Sequence, residues 1–226
     1  MSNKDYSKRL QGILNNVEDF LRTGKYRSQS PNSQSGISTE PKSRKELLRE
    51  LSETVHSCRL CKLGSMRENA VPGEGVLEPV VMCIGEAPGG EEDKQGRPFV
   101  GPAGQYLDKW LEALGLARNE NVFITNIVKC RPPGNRDPQP DEVKSCIPYL
   151  KKQIQLIQPK TILALGMIAT QILLDTTEGI TMLHGKVFFY DGIPLVPTFH
   201  PSAVLRNKDE LRRPVWKDLQ VLKGQF

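Results

Sequence analysis

The chain has 226 residues, 38% of them hydrophobic and 25% charged, with a formal net charge of +5, enough for one full domain with a sizeable core and some tail. No run of about 18 apolar residues occurs, so no transmembrane helix is expected, and "MSNKDYSKRLQGILNN" lacks the apolar centre of a secretory signal. A cytoplasmic, reducing setting follows, in which the five cysteines are expected in metal, redox or core roles rather than in disulfides. Residues 1–44 hold eight Lys/Arg against four Asp/Glu, and residues 45–226 hold 23 against 22. A polyanion partner would therefore have to be met by local clusters of charge.

Residues 6–22 space apolar groups helically (Tyr6, Leu10, Ile13, Leu14, Val17, Phe20, Leu21), which predicts a short amphipathic helix within residues 1–24. It reads as a weakly docked appendage or as a docking peptide for a replication or repair partner. Residues 25–44 include "RSQSPNSQSGISTEPKS", a Ser-, Pro- and Gly-containing linker. One compact domain is predicted from 45 to 226. Helical patterns occupy 44–56, 103–115, 141–157, 167–174 and 209–223, and apolar, β-branched runs occupy 79–84, 122–128, 161–165 and 193–198. Strands alternating with helices predict a three-layer α/β/α fold around a mainly parallel four-stranded sheet. Ligands of such folds bind beyond the carboxyl ends of the strands, where Glu86, Asn126, Lys129 and His200 stand.

Among the cysteines, Cys83 lies within the first strand and reads as a small core residue. Cys58 and Cys61 form "CRLC", while Cys130 in "KCRPPGNRDP" and Cys146 in a helical segment lie 16 apart. These four suit a tetrathiolate site. Spacing alone leaves an iron–sulfur cluster, a zinc ion and unrelated thiols open. Arg59, Lys62, Lys129, Arg131 and Arg136 lie close by in sequence; they would offset thiolate charge or meet phosphates.

The stretches "GEAPGGEEDKQGRPFVGPAGQYLDKWL", "ITNIVKCRPPGNRDPQPDE" and "HPSAVLR", with the four cysteines, resemble the family 4 uracil-DNA glycosylases over about residues 55–215. That resemblance implies an enzyme that hydrolyses the N-glycosidic bond of uracil in DNA, single- or double-stranded, probing a base swung out of the stack. It implies a [4Fe-4S] cluster on Cys58, Cys61, Cys130 and Cys146. Gly85, Ala87, Glu92, Phe99 and Asn126 would bind the base: Phe99 by stacking, Asn126 by reading its edge, and Glu92 by crowding C5 against thymine. His200 and the bare glycine-rich loop would donate to O2, and Glu86 would orient water or stabilise the cationic sugar. Ser202, Leu205 and Arg206 would contact DNA, the latter two from an inserting loop. The general glycosylase pattern has Asp where this chain has Ala87, a departure normal for family 4 that leaves the water-activating group open. A monomer without membrane contact is expected, with His56 and His184 structural. The competing expectations are a non-catalytic glycosylase-like DNA-binding module associated with replication, which fits the presence of Glu86, Asn126 and His200 poorly, and a cluster-bearing redox protein. Against the latter, neither G-x-G-x-x-G nor G-x4-G-K-[ST] occurs.

Overall fold

A computed structural model describes residues 42–226 and, ahead of them, only positions 11, 12 and 15. Those three positions apart, the amphipathic helix expected within residues 1–24 lies outside the described residues, as does most of the expected linker. The fold opens with α1 (Arg44–Ser57), capped by Ser43, whose side chain accepts from Glu46 N while Glu46 returns the bond. After α2 (Leu63–Met66) come β1 (Glu74–Gly75), β2 (Val81–Gly85), α3 (Gly90–Gln95), α4 (Pro102–Ala113) and β3 (Val122–Asn126). A short 3-10 turn (Pro133–Asn135), α5 (Pro140–Ile157), β4 (Thr161–Leu165), α6 (Met167–Leu174), α7 (Ile180–Leu183), β5 (Phe188–Tyr190), β6 (Ile193–Thr198), α8 (Pro201–Arg206) and α9 (Lys208–Lys223) complete it.

The sheet has six strands in the order β1-β3-β2-β4-β6-β5. Its four central strands are the expected parallel ones, and the short edges β1 and β5 pair antiparallel. Strand residues alternate between two cores. Val81, Cys83, Val122 and Ile124 face Leu107, Leu111 and Leu219 of α4 and α9, and Met82, Ile84 and Phe123 face Leu150, Ile154 and Ala169 of α5 and α6. Central strands buried on both faces need near-continuous apolar runs, and each buried Leu or Ile contributes about 1.5–3 kcal/mol. A third cluster docks α1 on α5, with Leu47, Leu51 and Val55 against Tyr149 and Leu156. No helix among the described residues is long and apolar enough to cross a membrane.

Ser43 caps α1, which starts at Arg44 as the helical pattern over 44–56 predicts. One expectation needs correcting. "PSAVLR" is not a loop but a helix, started by His200 as N-cap and Pro201 in the first turn, where its missing N–H costs nothing.

Candidate active site

Parallel strands β2, β3 and β6 bring their carboxyl ends to one rim, and a cavity of about 460 Å³ opens there between Glu86, Ala87, Phe99, Asn126, His200 and Arg206. Gly85 pairs across the sheet with Asn126. A Cβ on Gly85 would lie 2.5 Å from Asn126 Oδ1 and 2.6 Å from Phe99 Cζ, so glycine is required by close approach rather than by backbone angle. Asn126 is 1% exposed, yet its Oδ1 has no hydrogen-bond partner among the described residues. A buried acceptor left unpaired costs about 1–3 kcal/mol, and this one stands in the wall of a cavity.

Phe99 holds φ at +52°, a left-handed conformation that bulky residues adopt only when neighbours enforce it. Here Arg118 donates to the carbonyls of Pro98 and Phe99. Helix α4 then passes so closely that a Cβ on Gly104 would fall 1.8 Å from Phe99 O. The Phe99 ring is thereby fixed 5.7 Å from the His200 ring, tilted by 35°.

His200 Nδ1 receives Ser202 N at 3.2 Å and faces Ser202 Oγ at 2.8 Å. A backbone N–H only donates, so Nδ1 accepts and the neutral ring carries its proton on Nε2. Burial, with Arg206 second, lowers its pKa to about 4. Glu86 moves the other way: burial, then the negative charge of Asp137, raises its carboxyl to about 7. Glu92 lines the cavity too, but as a latch rather than a solvated acid. Its Oε2 accepts from Gly89 N at 3.1 Å, and its Oε1 from Val100 N and Gly101 N, both at 2.9 Å. Ser202 lines the cavity with Arg206, while Leu205 sits half-buried on α8.

The sequence reading missed Asp137 and Asn135, which line the cavity from the loop after β3. "GNRDP" follows β3 in the chain but carries no sign that it folds back to Glu86. It also missed Gly166 after β4 (φ +90°), where a Cβ would lie 3.0 Å from His200 Cβ.

A second, smaller cavity is lined by Cys58, Cys61, Cys130 and Cys146 together with Arg67 and Tyr149. Arg67 Nη1 donates to Cys130 Sγ at 2.9 Å, Lys129 N to Cys146 Sγ at 3.3 Å and Leu60 N to Cys58 Sγ at 3.5 Å. Tyr149 Oη is buried there without a hydrogen-bond partner among the described residues. No group of three or more His, Cys, Asp or Glu among the described residues is placed to hold a metal ion. Cys83 stands apart, fully buried in β2, its thiol raised by burial to about 12. Lys129 does not reach the surface: it is 1% exposed and donates to Thr125 Oγ1, Asn126 O and Gln153 Oε1. Arg136 is bound bidentately by Glu142 at 2.7 and 2.9 Å. Neither is therefore available as a free phosphate contact.

Residues 72–220 match the Uracil DNA glycosylase superfamily. The chain is 45% identical over 185 residues to a type-4 uracil-DNA glycosylase of Sulfurisphaera tokodaii, covering 78% of this chain and 83% of that one. It is 46% identical over 187 residues to that of Pyrobaculum aerophilum (78% and 93% covered) and 45% over 184 residues to that of Thermotoga maritima (80% and 95%).

Proposed function

The chain belongs to the uracil-DNA glycosylase superfamily, and from that premise we propose how its cavity excises uracil from DNA, the base-excision repair reaction of a hydrolase. The observation that carries the assignment is Asn126 Oδ1, an acceptor buried without a partner. Uracil offers it N3–H, and the same amide donates to O4; cytosine would meet like with like at both points. Phe99 supplies the stacking face, held by its strained backbone and by Arg118.

As the C1′–N1 bond breaks, its electron pair goes to the departing uracil and positive charge grows on the sugar. His200 Nε2–H, neutral and fixed by Ser202, donates to O2 as negative charge develops there. Glu86, with a pKa of about 7, accepts the proton of the water that adds to C1′, and the departing uracil anion takes up a proton from solvent, so free uracil and an abasic sugar result. Ser202, Leu205 and Arg206 on α8 meet the strand beside the extruded nucleotide.

The four thiols fit a [4Fe-4S] cluster by their chemistry: all line one cavity, and N–H donors point at three of the sulfurs. When bound, the cluster supplies a tie between three distant stretches of chain. The test of the reaction is a single-turnover assay with a uracil-containing oligonucleotide, scoring free uracil and alkali-labile sites. Purified protein that releases neither overturns the assignment.

A further inference from the structure

On the far side of α8 from the uracil cavity, a groove of about 980 Å³ runs between α4 and α9. Its α4 wall repeats at positions 106, 109, 110 and 113, one helical face. Tyr106 and Trp110 pack edge to face there, with ring centroids 5.4 Å apart. From α9, Trp216 reaches the groove 47% exposed, an unusual state for a large aromatic ring. Around these rings stand Lys109, Lys208, Arg212, Arg213 and Lys217 against the lone carboxylate of Asp209. None of the five cations makes an ion pair or hydrogen bond with a described residue. Elsewhere Arg97, Arg118 and Arg136 are all bound by carboxylates.

We propose that this groove holds the continuation of the DNA strand, as single-stranded nucleotides on one side of the uracil. The inference rests on the reading that the first cavity takes a uracil nucleotide. An exposed aromatic among cations that no described residue pairs is what a single strand requires: a face for bases and charge for phosphates. Charge also selects against the chain's own first segment, since residues 1–44 carry a net +4 (eight Lys/Arg against four Asp/Glu) and would be repelled by a basic groove. The path is short: α8 is one helix, about 10–12 Å across, so only a few nucleotides are needed to pass it.

The test uses the full chain and uracil oligonucleotides with three nucleotides on each side, lengthened to ten on one side or the other. Lengthening on one side should tighten binding by about tenfold, the value of one stacked base, and quench tryptophan emission. Trp216→Phe should lose most of the quench, and Trp216→Ala most of the affinity gain. Replacing both Arg212 and Arg213 by Ala removes two cations and should lower the salt slope on the long strand by about 1.4. All three variants should cleave the short strand like the parent. A gain on neither side, or one untouched by Trp216→Ala, overturns the proposal. So does the appearance of acrylamide access to Trp216 only after residues 1–41 are deleted, because the groove would then belong to the chain's own segment. If the parent fails to cleave even the short strand, the fault lies in the uracil cavity and not in the groove.

Discussion

Asn126 ends β3 with an oxygen that nothing among the described residues satisfies, so replacing it probes recognition more than folding. Asn126→Asp keeps the shape but puts acceptors opposite uracil O4. A lost charge-sensitive hydrogen bond should slow uracil excision about a hundredfold in single turnover, and loss within threefold would remove Asn126 from base reading. Glu86 gives a pH signature. Its carboxyl is ionised only above about 7, so the rate should fall about tenfold per unit as pH drops below that value. His200, neutral down to about 4, adds no limb in that range. Glu86→Gln should leave a slow, flat profile. Asp137→Asn removes a like charge, lets the Glu86 pKa fall, and should move the midpoint to lower pH; an unmoved midpoint would break the link between them. Asn126 and Phe99 were legible through the family motifs around them. Asp137 was not, because its partner lies 51 positions away in the chain and only the fold brings them together.

At the scale of elements, the four central strands were legible because burial on both faces forces continuous apolar runs. The edges were not: β1 is two residues, Glu74–Gly75, without pattern. β5 did carry a signal, since Tyr190 pairs with Ile193 across Asp191–Gly192, both at positive φ, and an Asp-Gly pair is a strong hairpin mark. The Glu92 latch was invisible because its partners are backbone N–H groups at 89, 100 and 101. It clamps the start of α3 to the turn carrying Phe99. Glu92→Gln turns one acceptor into a donor facing an N–H, which should cost about 1–3 kcal/mol of stability in denaturant melts. It should also slow excision by letting Phe99 drift. Full stability in the variant would show that the latch carries no strain of the loop.

At the scale of the whole molecule, "CRLC" and the two later cysteines were legible as four thiols able to share one site. Their environment of Arg67 and Tyr149 was not, because it is assembled from α1, the turn before α2, the loop after β3 and α5. Cys58 is itself the C-cap of α1, so the helix that positions the first thiol depends on how α1 is anchored. Leu47, Leu51 and Val55 dock it on α5, and Ser43 caps its start. Arg44 joins it to Glu78 and Gln158. Two deletions separate this anchor from the segment before it. Removing residues 1–41 should leave uracil release on short strands and the melting temperature unchanged, because every proposed site lies beyond them. Removing residues 1–44 takes the cap as well, a loss of about 1 kcal/mol, and should lower Tm by about 2–4 °C in a domain of this size. The visible absorbance expected of a cluster should then bleach sooner on heating, whereas Cys58→Ala should abolish it and Cys83→Ala should leave it intact. A tenfold fall in excision on removing residues 1–41 would place that segment inside the catalytic unit. Equal melting of the two deletions would mean that α1 is held by its apolar face alone.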